Sequence, residues 1–105
     1  GSKVIVALVP EVETKLLREL ADKLRDQSQG IVLLGSAVDG KATLVAAIEK
    51  SLTAKVKAGD FVNVAAAIVD GKGGGRPDSA TAGGQDGSKV QEALDTAKAW
   101  IQDKI

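Results

Sequence analysis

Cysteine and histidine are both missing from these 105 residues. Without them there is no disulfide, no thiolate or imidazole metal ligand, and none of the usual Cys or His roles in catalysis. Most enzyme chemistries are thereby excluded, and neither a cofactor nor a metal is expected. Aromatic residues are scarce as well, at 2% of the chain, so the core has to be assembled from Val, Ile, Leu and Ala. Net charge is the third absence: 14 Lys plus Arg balance 14 Asp plus Glu. A neutral chain has no long-range field to draw in a polyanion, so any nucleic-acid binding has to be local. No apolar run approaches the roughly 20 residues needed to span a bilayer, and the start has no signal-peptide pattern. The expectation is a cytoplasmic chain with no membrane partner. Gly1-Ser2 reads as a remnant of recombinant expression, which leaves one domain over residues 3–105.

What is present has the pattern of a single globular α/β domain, with 44% hydrophobic residues in apolar runs and amphipathic stretches. Val4 to Val9 is a continuous apolar run, the pattern of a central strand covered on both faces. Pro10 ends it. Residues 11–27 then place Val12, Leu16, Leu17, Leu20, Ala21 and Leu24 along one helical face. On the other face Glu11 and Lys15, Arg18 and Asp22, and Glu19 and Lys23 are spaced as solvated ion pairs. Gly30 opens a second apolar run, Ile31 to Leu34, completing a βαβ unit with parallel pairing. Asp39-Gly40 supplies the positive φ angles of a type I′ turn, so a β-hairpin should follow, with an antiparallel strand over Lys41 to Ile48. Residues 60–69 read as a short buried helix capped by Asp60, with a strand as the alternative. From Ser88, acting as N-cap, Val90, Leu94, Ala97 and Ile101 share one face of a last helix, with Trp100 beside it. The sum is a mixed sheet with an initial βαβ unit, a β-hairpin and packing helices.

The segment from Gly71 to Gly84 holds six of the 12 glycines together with Lys72 and Arg76. It reads as a backbone-exposing, cation-bearing loop, with a short strand over Ser79 to Ala82. Glycines remove the Cβ that keeps a ligand off the main chain, and consecutive N–H groups can then turn toward an anion such as phosphate. The spacing is neither that of a Walker A loop nor that of a dinucleotide fingerprint. The competing explanation is that these glycines only permit tight turns and close packing. Lys50, Lys55 and Lys57 form a second cationic cluster, of a kind that is usually plain solvated surface.

The string Gly71-Lys72-Gly73-Gly74-Gly75-Arg76-Pro77-Asp78, followed by Ala80-Thr81-Ala82-Gly83-Gly84, closely resembles the C-terminal domain of the alanyl-tRNA synthetases. Val38-Asp39-Gly40-Lys41, Lys50-Ser51-Leu52-Thr53 and Val56-Lys57-Ala58-Gly59-Asp60 resemble further elements of that family in the same order, over residues 31–104. The domain is of the DHHA1 type, which also occurs in DHH phosphoesterases, where the glycine motif usually ends in Gly-Gly-Gly-His. Arg76 points to the synthetase branch. Asp70 stands where a glycine is common, Ser79 where methionine is, and Thr81 where glutamine is.

The resemblance implies a non-catalytic module that grips the elbow of tRNA(Ala), where the D and T loops meet, alongside the catalytic and editing domains of a parent synthetase. A weak homodimer is a further expectation. On this reading Gly73, Gly74 and Gly75 offer backbone N–H groups, Lys72 and Arg76 contact phosphates or bases, and Lys50 is the next candidate. An ion pair between Arg76 and Asp78 bracing the turn at Pro77 is the equal alternative for Arg76. Phe61 and Trp100 are expected in the core. Two other functions stay open: a protein-interaction or dimerisation domain, and the substrate-binding domain of a DHH phosphoesterase.

Overall fold

Alternation of large apolar side chains in the second and third strands builds a sheet with two buried faces. The computed structural model describes residues 3–9 and 12–104. Its elements are β1 (Val4–Leu8), α1 (Thr14–Ser28), β2 (Ile31–Val38), β3 (Lys41–Ile48), α2 (Ala58–Ile68), β4 (Gly71–Arg76), β5 (Ser79–Gly84) and α3 (Val90–Lys104). Short 3-10 turns at Lys50–Leu52 and Gly87–Lys89 join them. The sheet has the order β1-β2-β3-β5-β4. β1 runs parallel to β2, and the other neighbours are antiparallel.

Ile31, Leu33, Leu44, Ile48, Ala80 and Ala82 face α2 and α3, where they meet Phe61, Val62, Leu94 and Ile101. Val32, Leu34, Val45 and Ala47 face the other way, onto Leu17 and Ala21 of α1. The expected βαβ unit is present, and so is the tight turn, with φ at 53° for Asp39 and 78° for Gly40. Phe61 is buried, and Trp100 stacks on it with ring centroids 6.2 Å apart.

Several expectations need correction. β1 is an edge strand, half-buried rather than central. Its apolar run reflects contact with helices on both faces, which edge and centre share. α1 begins at Thr14, and its buried stripe is narrow: Leu17 and Ala21 are covered, whereas Leu16 is 55% and Leu20 36% exposed. Residues 10 and 11, with the pair Glu11–Lys15, lie outside the described residues. Arg18–Asp22 and Glu19–Lys23 form no ion pair; Asp22 turns to Arg25 instead. α2 starts at Ala58, so Asp60 sits in its first turn and is not the cap. Before α3 the capping carboxylate is Asp86, which accepts from the Ser88 N–H at 3.1 Å, so Ser88 is the capped residue.

The largest correction concerns the glycine segment. It is not a loop but a β-hairpin, β4 and β5, closed by the two-residue turn Pro77-Asp78. Glycine is depleted from strands because it weakens them, and six in fourteen argued for a loop. Pairing of β5 with β3, burial of Ala80 and Ala82, and the packing of α2 on β4 outweigh that preference.

Candidate nucleic-acid interface

Register decides what each glycine of the triplet can do. Arg76 and Ser79 flank a two-residue turn and so form a hydrogen-bonded pair, and the pairing alternates from there. Gly74 opposite Thr81 and Lys72 opposite Gly83 turn their amides inward to β5, whereas Gly73 and Gly75 turn theirs to the open edge. The Gly73 amide is already taken: it donates to Asn63 Oδ1 on α2 at 2.9 Å, while Asn63 Nδ2 donates to the Gly59 carbonyl at 2.9 Å. Of the three amides expected to meet an anion, only that of Gly75 points outward without a partner among the described residues.

The same alternation separates glycines required by close approach from one that is not. A Cβ on Gly73 would lie 2.3 Å from the Thr81 carbonyl oxygen and 2.4 Å from the Ala82 Cβ, and one on Gly75 would lie 2.7 Å from the Ser79 oxygen. A Cβ on Gly74 would meet nothing within 4 Å. Gly74 shares its sheet face with Lys72, Arg76, Ser79 and Thr81. That face belongs to the α1 side, yet α1 packs mainly on β2 and β3, with Ile5 and Ala7 of β1 beside it, and meets the hairpin at its turn through Arg25.

The uncovered strip becomes a groove of about 450 Å³, walled on one side by Arg18, Asp22 and Arg25 of α1 and on the other by the hairpin from Gly74 to Thr81. Arg25 is committed to bracing it. Its Nη1 donates to the Asp78 carbonyl at 3.3 Å and lies 3.5 Å from Asp22, and its Nε is 3.2 Å from Asp26. Its side chain is only 18% exposed. Arg18 and Arg76 are exposed, and neither makes an ion pair among the described residues. The Arg76–Asp78 pair weighed from sequence is not formed; Asp78 serves through its backbone, to Arg25 and to the amide of Ile48.

Lys50 stands just past the turn. It shares one cleft with Thr53, Arg76, Pro77 and Asp78 and another with Arg25, Glu49 and Asp78. The folded chain thus brings Lys50 and Arg76 together from 26 positions apart in sequence, next to Arg18. Lys72 sits toward the far end of β4, beside Asp70, Gly83 and Gln85. Lys55 and Lys57 line none of these depressions and are exposed. Glu49, beside Lys50, accepts from the Ser51 hydroxyl and from the Ser51 N–H, and these bonds hold its carboxyl below its ordinary value of 4.5.

Arg18 was missed in the sequence because an Arg four residues before an Asp looks like a surface ion pair. The usable signal was periodic: Arg18, Asp22 and Arg25 recur at the spacing of one helix face, next to the buried Leu17 and Ala21.

A mixed sheet edged by a glycine hairpin, with Arg18 and Arg76 exposed beside it and in no ion pair among the described residues, makes an α/β domain with a cation-lined groove. Among the described residues, no group of three or more acidic side chains is placed to hold a metal ion. The chain belongs to the DHHA1 domain family, whose profile matches residues 1–103. Within that family it falls with the C-Ala domains. The solved C-Ala domain of Aquifex aeolicus alanyl-tRNA synthetase superposes with a TM-score of 0.84 at 32% identity, covering 91% of this chain and 87% of that one. Alanine–tRNA ligases of Thiobacillus denitrificans and Idiomarina loihiensis are 49% and 50% identical over 106 residues, spanning 100% of this chain but 12% of each ligase. RecJ of Thermus thermophilus, solved with Mg2+, superposes at a TM-score of 0.71 and 19% identity over 97% of this chain and 15% of RecJ, a likeness of fold alone.

Proposed function

We propose that this chain is the tRNA-gripping module of an alanine–tRNA ligase. It holds the elbow of tRNA(Ala), while the parent's catalytic and editing domains, in the cytoplasm, carry out the chemistry. The observation that carries this reading is the clustering of Arg18, Arg76 and Lys50 around a turn and a groove whose hairpin wall, Arg76 apart, carries only Gly, Asp, Ser, Ala and Thr. Structured RNA is recognised through shape, phosphates and 2′-hydroxyls, which suits a small concave surface with few charges. A neutral chain supplies little long-range attraction, so binding by the isolated module should be weak, about micromolar, and salt-dependent.

Membership of the C-Ala group supports tRNA as the partner. Contact with the parent's other domains is supported by a different surface: Leu16 and Leu20, one turn apart on α1, are exposed. The test of the tRNA reading is anisotropy of labelled tRNA(Ala) against a duplex RNA of equal length that has no elbow, at two salt concentrations. Preference for tRNA, with a salt slope of about −0.7 to −0.9 for each phosphate contact, is the expected result. Equal binding of both, or of neither, counts against elbow recognition.

A further inference from the structure

The groove beside the hairpin has features that a merely cationic patch does not need. Its floor carries a glycine, Gly74, with open space where a side chain would project. The neighbours Gly73 and Gly75 are required by the close approach of β5, but no contact in the chain requires Gly74. Its wall carries a carboxylate among arginines. Asp22 Oδ1 is turned away from water toward Arg25 Nη1, 3.5 Å distant, so the exposure of this side chain, 47%, falls on the rest of its carboxylate, which lines the groove. A wall made only to hold phosphate gains nothing from such an acceptor.

Resting on the RNA-binding reading, we infer that this groove seats one ribose-phosphate unit of the RNA backbone. Arg18 from α1 and Arg76 from β4 hold the flanking phosphates from opposite sides, the Asp22 carboxylate accepts from the ribose 2′-hydroxyl, and Gly74 keeps the floor clear. Arg18 and Arg76 are the cations left over after Arg25 has been consumed in joining α1 to the turn. A groove of about 450 Å³ accommodates a sugar-phosphate segment and is far too small for a duplex. The 2′-hydroxyl is the group by which a protein tells RNA from DNA, and an acceptor in the wall is what reading it requires. A second depression on α1, lined by Lys15, Glu19 and the shared Arg18 and Asp22, adjoins the groove.

The test compares the 105-residue chain with its Gly74→Leu, Arg18→Ala, Asp22→Ala and Arg76→Ala forms, plus Lys98→Ala on α3 as a control. Each is titrated with tRNA(Ala), with the DNA of the same sequence and with an elbow-less duplex RNA, and its fold is checked by circular dichroism. Gly74→Leu, whose side chain enters open space, is expected to fold and to lose about tenfold or more in RNA affinity. Arg18→Ala should lose a similar factor and lower the salt slope by about one. Asp22→Ala should reduce the preference for RNA over DNA by about fivefold, an effect that a purely structural role for Asp22 would not produce. If Arg76→Ala weakens tRNA binding while Gly74→Leu and Arg18→Ala bind as the unaltered chain does, the groove is not the seat and the inference falls, with the RNA-binding reading intact. If the unaltered chain binds none of the three nucleic acids, both fall together. An unchanged RNA-to-DNA ratio in Asp22→Ala overturns the role given to the ribose.

Discussion

Replacing Gly73 and Gly74 separately by alanine should move stability in opposite directions, although the two are adjacent in a run of three identical residues. At Gly73 the new methyl group would sit 2.3 Å from the Thr81 oxygen and 2.4 Å from the Ala82 Cβ, roughly 1 Å inside van der Waals contact. β4 cannot simply swing away, because α2 holds the Gly73 amide through Asn63. Overpacking of this kind costs about 1–3 kcal/mol. The alanine also restricts the unfolded chain, which offsets about 0.4–1 kcal/mol. Because the clash at 2.3 Å is with backbone, the cost falls in the upper half of that range, and the net loss for Gly73→Ala is about 1–2.5 kcal/mol, a fall in Tm of about 5–20 °C for a domain of this size. At Gly74 the methyl meets nothing, only the unfolded-state term remains, and Gly74→Ala should gain about 0.4–1 kcal/mol. Urea titration followed by the fluorescence of Trp100, the single tryptophan, reads both. Equal destabilisation by the two substitutions, or a stable Gly73→Ala, would refute the account of strand spacing and with it the claim that Gly74 is free for a ligand.

Other consequences are open to direct measurement. Asn63→Ala should cost about 1 kcal/mol and speed hydrogen exchange at the Gly73 amide, since Asn63 Oδ1 is that amide's acceptor. Arg25→Ala, and equally Arg25→Lys, should loosen α1 from the hairpin turn; urea melts are expected to show a loss of about 1 kcal/mol that lysine does not rescue, because a single ammonium cannot reach Asp78, Asp22 and Asp26 together. Asp70 has φ at 56°, a left-handed conformation that costs a residue with a Cβ about 1 kcal/mol, so Asp70→Gly should raise Tm. The Glu49 and Asp86 carboxyls are held below their ordinary values of 4.5 and 3.8, chiefly by the hydroxyls of Ser51 and Ser88. A lowered folded-state value means that the stabilisation is complete above the ordinary value and is lost as pH falls through the lowered one. Thermal melts should thus be flat from pH 8 to about 5 and decline below that, with Glu49→Gln removing part of the decline.

The parts of the fold legible in the sequence were those written in local chemistry. Asp39-Gly40 demands positive φ and forms its turn, and the 3.6-residue spacing of Val90, Leu94, Ala97 and Ile101 gives α3 with those four side chains buried. Where tertiary contacts overrule local preference, the reading failed. The position of β1 at the edge depends on sheet order, which its own composition does not carry. The glycine hairpin depends on α2 and β3 holding a weak strand from both sides.

The site followed the same division. Arg76 and the glycine triplet stood out through their motif, and Lys50 through its segment. Arg18 did not, because its place on the groove arises from where α1 lies relative to the hairpin, a distance across space and not along the chain. That the Gly73 amide belongs to Asn63 is likewise invisible until α2 is laid beside β4.

The measurement that bears most directly on the central claim is a map of backbone amide shifts on titrating the 105-residue chain with tRNA(Ala), with an elbow-less duplex of the same length as control. The account predicts shifts at Gly74, Gly75, Arg76, Thr81 and Arg18, on both walls of the groove, with tRNA and not with the duplex. Shifts confined to the region of Leu16 and Leu20 on α1, or none at low salt with either RNA, would contradict it and leave this face of the hairpin without an RNA partner.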